Sequence, residues 1–156
     1  MDTAPWYDET AIPALLRAAR IRYRTQVRSA LSAAGYEDMP ANGSYVVGAI
    51  ARTGAGLSEI IAELGVSKQS AGQLVDALVM RGYLDRAVDP DDRRRLTITL
   101  TERGEAAAGV VRSSVEEVDQ DLLARVGPAC VADARRALGA LVDAQREHDH
   151  GHHHHD

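Results

Sequence analysis

Between Glu9 and Ala34 apolar side chains fall at Ile12, Leu15, Leu16, Ala19, Tyr23, Val27, Ala30 and Leu31. A recurrence every three or four positions predicts one long amphipathic helix. Gly35 is placed to end it, because glycine accepts the left-handed conformation found just past a helix. The loop Met39-Pro40-Ala41-Asn42-Gly43 then leads into a second helix, from Ser44 to about Arg52. Gly54 and Gly56 punctuate the chain before Ser58, read as the N-cap of a short helix through Leu64. Gly65-Val66 makes a tight turn, and Ser67 caps another helix running to about Arg81.

The period changes beyond Gly82. Tyr83 to Val88 reads as extended chain, Asp89-Pro90-Asp91-Asp92 as a turn, and Leu96-Thr97-Ile98-Thr99-Leu100 alternates as a strand does. This is a hairpin with Arg93, Arg94 and Arg95 at its tip. Thr101 is placed to cap a helix that carries Ala108, Val111, Val115, Val118 and Leu122, and Gly127-Pro128 breaks it. A last helix carries Val131, Ala134, Leu138 and Leu141. The fold class expected is mainly α with one small β-hairpin, its centre a helix, a tight turn and a capped helix, which is the helix-turn-helix order.

Composition narrows this picture. A chain of 156 residues suits one domain, expected over 1–147, with a flexible His-rich tail at 148–156. There is no Phe and only one Trp, so Leu, Val, Ile and Ala must form the core. The single cysteine, Cys130, has no internal partner and is read as a small packed thiol, and no stretch reads as a signal peptide or membrane span. A cytoplasmic protein is the expectation. All six histidines lie at or after His148, which leaves the body without imidazole for acid-base chemistry. Together with the lack of a phosphate-binding glycine loop, this argues against an enzyme and for no cofactor.

Net charge is -5, but where the cations sit matters more to a polyanion than their sum. Lys68 is the only lysine, and it lies in the segment Ser67-Lys68-Gln69-Ser70-Ala71-Gly72-Gln73. A helix entering the major groove needs small or polar residues on its first turns. Gln69 and Gln73 are four apart and share a face, and a glutamine amide can pair with adenine N6 and N7. Leu74, Val75 and Leu78 on the other side give the helix a face to pack. Taken alone, the glutamines are equally a solvated face of an ordinary helix. Arginines at a hairpin tip can reach phosphates or a narrow minor groove, or simply make the turn soluble. Gly72 inside a helix is disfavoured by roughly 1 kcal/mol against alanine, which fits either close approach to DNA or close packing on Ile61.

With these segments in place, the sequence resembles the MarR family of winged-helix regulators. The resemblance runs from Ala14 to about Gly104 and more loosely through the C-terminal helices. It rests on Leu57-Ser58-Glu59 through Leu64-Gly65-Val66-Ser67-Lys68, on Leu74-Val75-Asp76-Ala77-Leu78, and on Arg81-Gly82-Tyr83-Leu84-Asp85-Arg86. Asp89-Pro90-Asp91-Asp92-Arg93-Arg94 and Leu100-Thr101-Glu102-Arg103-Gly104 are similar to the family's wing signature. Ile61 and Gln73 depart from it, standing where a small residue and an arginine are common.

The resemblance implies a winged helix at about 44–100 between dimerisation helices at about 9–34 and 101–147. It implies that Asp92 braces Arg94, that Arg94 reaches the minor groove, and that Thr101 caps the long fifth helix. Apolar residues of the terminal helices, Leu15, Leu16, Val118, Leu122, Leu138 and Leu141, are the dimer-interface candidates. Tyr23, Tyr36 and Tyr45 are candidates for lining a small-molecule pocket beside them, although core packing is the commoner role for any one of them. Arg17, Arg20, Arg24 and Arg28 are read as a solvated stripe or as interface partners for the acidic fifth helix rather than as DNA contacts. The function expected is that of a homodimeric repressor of transcription that binds near-palindromic double-stranded DNA through Ser67, Lys68, Gln69, Ser70, Gln73 and Arg93, Arg94 and Arg95, and is released by a small molecule. A metal-responsive regulator using the His-rich tail is the second reading.

Overall fold

Pro13 decides where the first helix begins. Inside a helix its ring would strike the carbonyl of Glu9, four residues back. In the computed structural model, which describes residues 5–54, 56–88, 91, 92 and 96–151, α1 accordingly spans Ile12–Ala33 rather than starting at Glu9. Ahead of it, Asp8 N donates to Pro5 O and Thr10 N to Tyr7 O in a separate turn. α1 ends as its glycine predicts. Gly35 has φ +87°, and Tyr36 N donates back to Leu31 O at 2.8 Å while Gly35 N donates to Ser32 O at 3.1 Å, the two bonds of a Schellman cap.

Next come α2 (Gly43–Thr53), α3 (Leu57–Leu64) and α4 (Lys68–Met80). The N-cap of α3 is Gly56 and not Ser58, which lies within the first turn, and no side chain caps this end. Ser67 does cap α4, its Oγ accepting from Ser70 N at 3.1 Å. α4 closes with the same device as α1. Gly82 has φ +76°, Tyr83 N donates to Leu78 O at 2.9 Å and Gly82 N to Val79 O at 3.0 Å.

The hairpin consists of β1 (Leu84–Val88) and β2 (Leu96–Leu100), antiparallel from Leu84 opposite Leu100 to Val88 opposite Leu96. Thr101 caps the last helix, its Oγ1 accepting from Gly104 N at 3.0 Å. This helix, α5 (Glu102–Gly151), is interrupted at Gly127, where φ is +78° and ψ 167°, just before Pro128. The expected break is therefore present. Residues 152–156 of the expected tail lie outside the described residues, and the helical backbone continues through 148–151.

The chain divides into two units, Met1–Glu116 and Glu117–Asp156. The first holds a core of Val27, Leu31, Val46, Val47, Ile60, Leu74, Leu78, Tyr83, Leu84, Ala107 and Ala108. Aliphatic residues dominate it, as the lack of Phe requires. In the second unit no residue from Asp119 to Ala144 is buried. Cys130 is thus exposed and not packed. No helix among the described residues is long and apolar enough to cross a membrane.

Candidate nucleic-acid interface

α4 is two-faced. Ala71, Leu74, Val75 and Leu78 are buried, and they fix the helix on the body. Ser67, Lys68, Gln69, Ser70, Gly72 and Gln73 are all exposed. The five expected contact residues of this segment therefore share the solvent side of one helical start. A Cβ added at Gly72 would meet nothing within 4 Å. Packing against Ile61 is thereby excluded as the reason for this glycine, and the helix keeps open space in the middle of its polar face.

Two ties orient α4 and its neighbours. Arg86 of β1 forms an ion pair with Asp76 of α4. Both side chains are largely exposed, so the pair contributes little stability and mainly sets direction. Tyr45 Oη of α2 donates to Glu63 of α3 at 2.8 Å, and burial, with that acceptor beside it, raises the phenol's pKa above its ordinary 10.0. Asp92 is exposed. Arg93, Arg94 and Arg95 lie outside the described residues, and with them the expected bracing of Arg94.

The root of the hairpin is crowded and heavily bonded. Thr101 Oγ1 donates to Gly82 O at 2.5 Å, and Thr101 N donates to Tyr83 O at 3.1 Å. A Cβ at Gly104 would stand 2.0 Å from Tyr83 O and 3.0 Å from Leu100 Cδ2, so only glycine lets α5 start against β1. Tyr83 is fully buried, and its hydroxyl donates to Asp38 Oδ1 at 2.5 Å. Arg103 Nη2 donates to Asp38 Oδ1 at 2.9 Å and to Tyr83 Oη at 3.1 Å. Its guanidinium lies over two rings, 4.7 Å from that of Tyr83 and 5.2 Å from that of Tyr36.

This joint shifts the titration of its members. The Tyr83 hydrogen bond, helped by the Arg103 charge, holds the Asp38 carboxyl below its ordinary 3.8. Burial, with the bond to Asp38, pushes the Tyr83 phenol above 10.0. Sequence reasoning did not find this group. Its partners stand 45 and 65 residues apart, and the one local sign was the repeated Gly-Tyr pair closing α1 and α4.

A cleft of about 650 Å³ opens beside the joint, between the second half of α1 and the loop to α2. Ile21, Val27, Leu31 and Met39 line it, with Arg24, Arg28 and Glu37 as its charged groups. Of the three tyrosines expected at a pocket only Tyr36 lines this one. Among the described residues none of Arg17, Arg20, Arg24 and Arg28 is ion-paired with an acid of the same chain. The interface candidates divide likewise. Leu16, Leu122, Leu138 and Leu141 are 38 to 55% exposed and Leu15 is half-exposed, whereas Val118, at 6%, is already buried in the single chain.

Residues 37–95 match the model of the MarR family. Curated proteins offer no match to the sequence. Among solved structures, MepR of S. aureus in complex with DNA is 19% identical with a TM-score of 0.70, the match covering 87% of this chain and 99% of that one. The PcaV transcriptional regulator of Streptomyces coelicolor, in complex with its natural ligand, is 21% identical with a TM-score of 0.64 over 92% and 99%. S. aureus MepR bound to ethidium bromide is 19% identical with a TM-score of 0.54 over 88% and 99%. Identities this low speak for the fold, and the family match falls on the segment that holds α2, α3, α4 and β1. A two-faced α4, a hairpin rooted on Gly104 and the solved structures agree on the fold: the chain is a winged helix-turn-helix protein whose residues 37–95 match the MarR family.

Proposed function

We propose that this protein is a sequence-specific, dimeric transcription repressor that a small molecule releases from DNA. The observation that carries the proposal is the outer face of α4. It gathers Lys68, Gln69, Ser70 and Gln73 around a glycine on which a Cβ would meet nothing within 4 Å among the described residues. Amide side chains on a helix start can read base edges in the major groove, and Lys68 and Ser70 can hold phosphates. The hairpin points of the reading, Arg93 to Arg95 with Arg94 in the minor groove and Asp92 bracing it, complete the contact surface. MepR, similar in fold, has been solved with DNA.

Two copies are needed for affinity and for spacing. Leu16, Leu122, Leu138 and Leu141 are exposed in one chain, and a two-fold partner covering them would set two α4 helices about one helical turn, roughly 10 base pairs, apart. The cleft beside Tyr36 is the place for the releasing ligand. Two arginines against one glutamate make its lining net positive, which suits an organic anion with an apolar body.

Selection of bound sequences from random duplex DNA tests this reading. The expected product is a near-palindrome whose recovery is weakened by Arg94→Ala. Failure to enrich any sequence, protection of a single half-site, or sedimentation as a monomer at micromolar concentration would overturn it.

A further inference from the structure

α1 and α4 both end in Gly-Tyr, and the two tyrosines meet. The left-handed glycine of each cap turns the chain so that the next residue is aimed back at the body. Tyr36 and Tyr83 are thereby brought to 6.1 Å between ring centroids, with the Arg103 guanidinium over both. Tyr83 belongs to the hairpin: its N is tied to Leu78 of α4, its O to Thr101 at the start of α5, and Leu84 next to it opens β1. Tyr36 belongs to the cleft, which its side of the loop lines.

The same loop holds the hairpin root by a second grip. Glu37 and Met39 line the cleft, and between them Asp38 takes the Tyr83 hydroxyl and Arg103 on its carboxylate and Arg81 Nη1, at 2.5 Å, on its carbonyl. Arg81 is the C-cap residue of α4. One five-residue stretch, from Tyr36 to Pro40, thus forms a wall of the cleft and also the anchor for the end of α4 and the start of β1. A movement of that wall cannot leave the anchor where it was.

We infer that Tyr36 is the positioning residue that couples the cleft to the hairpin. An occupant that displaces its ring takes the cover from Arg103, loosens the Asp38–Tyr83–Arg103 joint and frees the hairpin root. The inference rests on the cleft being the ligand site, and it adds the path by which occupancy is felt. Tyr36 acts through its ring, so Tyr36→Phe keeps the coupling and Tyr36→Leu removes it.

A tethered occupant tests this without knowledge of the natural ligand. Ser32 lines the cleft and is exposed. With Cys130→Ser as background, Ser32→Cys is labelled with N-benzylmaleimide, and amide hydrogen exchange across β1 and β2 is compared with affinity for the selected duplex. Labelling is expected to speed hairpin exchange about threefold or more and to weaken DNA binding about tenfold. With Tyr36→Phe both responses persist, and with Tyr36→Leu both vanish. Equal acceleration in Tyr36→Leu, or none with Tyr36 intact, overturns the inference. Hairpin exchange that responds through Tyr36 while DNA affinity does not change upholds the coupling and refutes only the role of the cleft in DNA release. Should Tyr36→Leu fail to fold, Arg103→Gln breaks the same joint from a side chain that is 41% exposed and must abolish the response.

Discussion

Gly104 and Gly72 are both helical glycines, and they are glycines for opposite reasons. At Gly104 the chain itself forbids a side chain, since a Cβ would overlap Tyr83 O at 2.0 Å. At Gly72 the chain allows one and the sequence still withholds it. The contrast extends to their surroundings. The hairpin root is a place where Thr101, Tyr83, Asp38 and Arg103 satisfy one another, whereas the outer face of α4 offers donors and acceptors that the chain leaves to solvent. Contacts within the molecule explain the first region. The second keeps a residue that weakens its helix by roughly 1 kcal/mol, and no contact among the described residues accounts for it.

Substitutions sharpen the contrast. The largest effect is expected from Gly104→Ala, which must push α5 off the backbone of Tyr83. Overpacking of this kind against main chain destabilises by about 3 kcal/mol or more, visible as a lowered midpoint in urea. An unchanged midpoint would mean that the root is far more yielding than its geometry. Next is Gln73→Ala, expected to relax base preference at one position of each half-site by about 1 to 3 kcal/mol while leaving thermal stability within about 0.5 kcal/mol. A uniform loss over all sequences would make Gln73 a backbone contact.

Smaller and opposite in sign is Gly72→Ala. With open space for the methyl, the free protein should gain up to about 1 kcal/mol from helix propensity, while affinity for the selected duplex falls. Stability and binding that rise together would show that DNA does not come close there. The smallest effect concerns acid. Asp38 has a depressed carboxyl pKa, so its contribution is present above the ordinary 3.8 and is lost as pH falls through the lowered value. The melting temperature of the wild type should therefore drop more steeply than that of Asp38→Asn between about pH 5 and about pH 2. Tyr83 bounds the other side: its raised pKa means support that is present below 10.0 and lost as alkali ionises the phenol. Parallel acid limbs in wild type and Asp38→Asn would remove the carboxylate from the joint.

Local rules made much of the fold legible. The bounds of β2, the caps at Ser67 and Thr101 and the break at Gly127 depend on neighbours within four residues, and the structure has them. Ser58 failed as a cap because Gly56 already supplies the extended conformation one residue before the helix, so Ser58 falls inside it. The two faces of α4 were readable, since Leu74, Val75 and Leu78 recur on one side. The Asp38–Tyr83–Arg103 joint was not, for no periodicity links residues that only the folded chain brings together. Cys130 was misread as packed because a free cysteine is more often a small buried thiol, whereas that stretch of α5 buries none of its described residues.

The cap of α4 also decides which proton is left over. Ser67 Oγ accepts from Ser70 N at 3.1 Å and gives its own hydrogen to Ser70 Oγ at 2.9 Å. Phosphate oxygens only accept, so a hydroxyl that has already given its hydrogen away has none for them. The hydrogen of Ser70 is still to be given, and the arrangement turns two serines into one acceptor held by the helix and one outward donor. Loss of Ser67 should therefore register as a frayed helix start, whereas loss of Ser70 should remove a grip on the DNA backbone, although the two side chains are chemically the same.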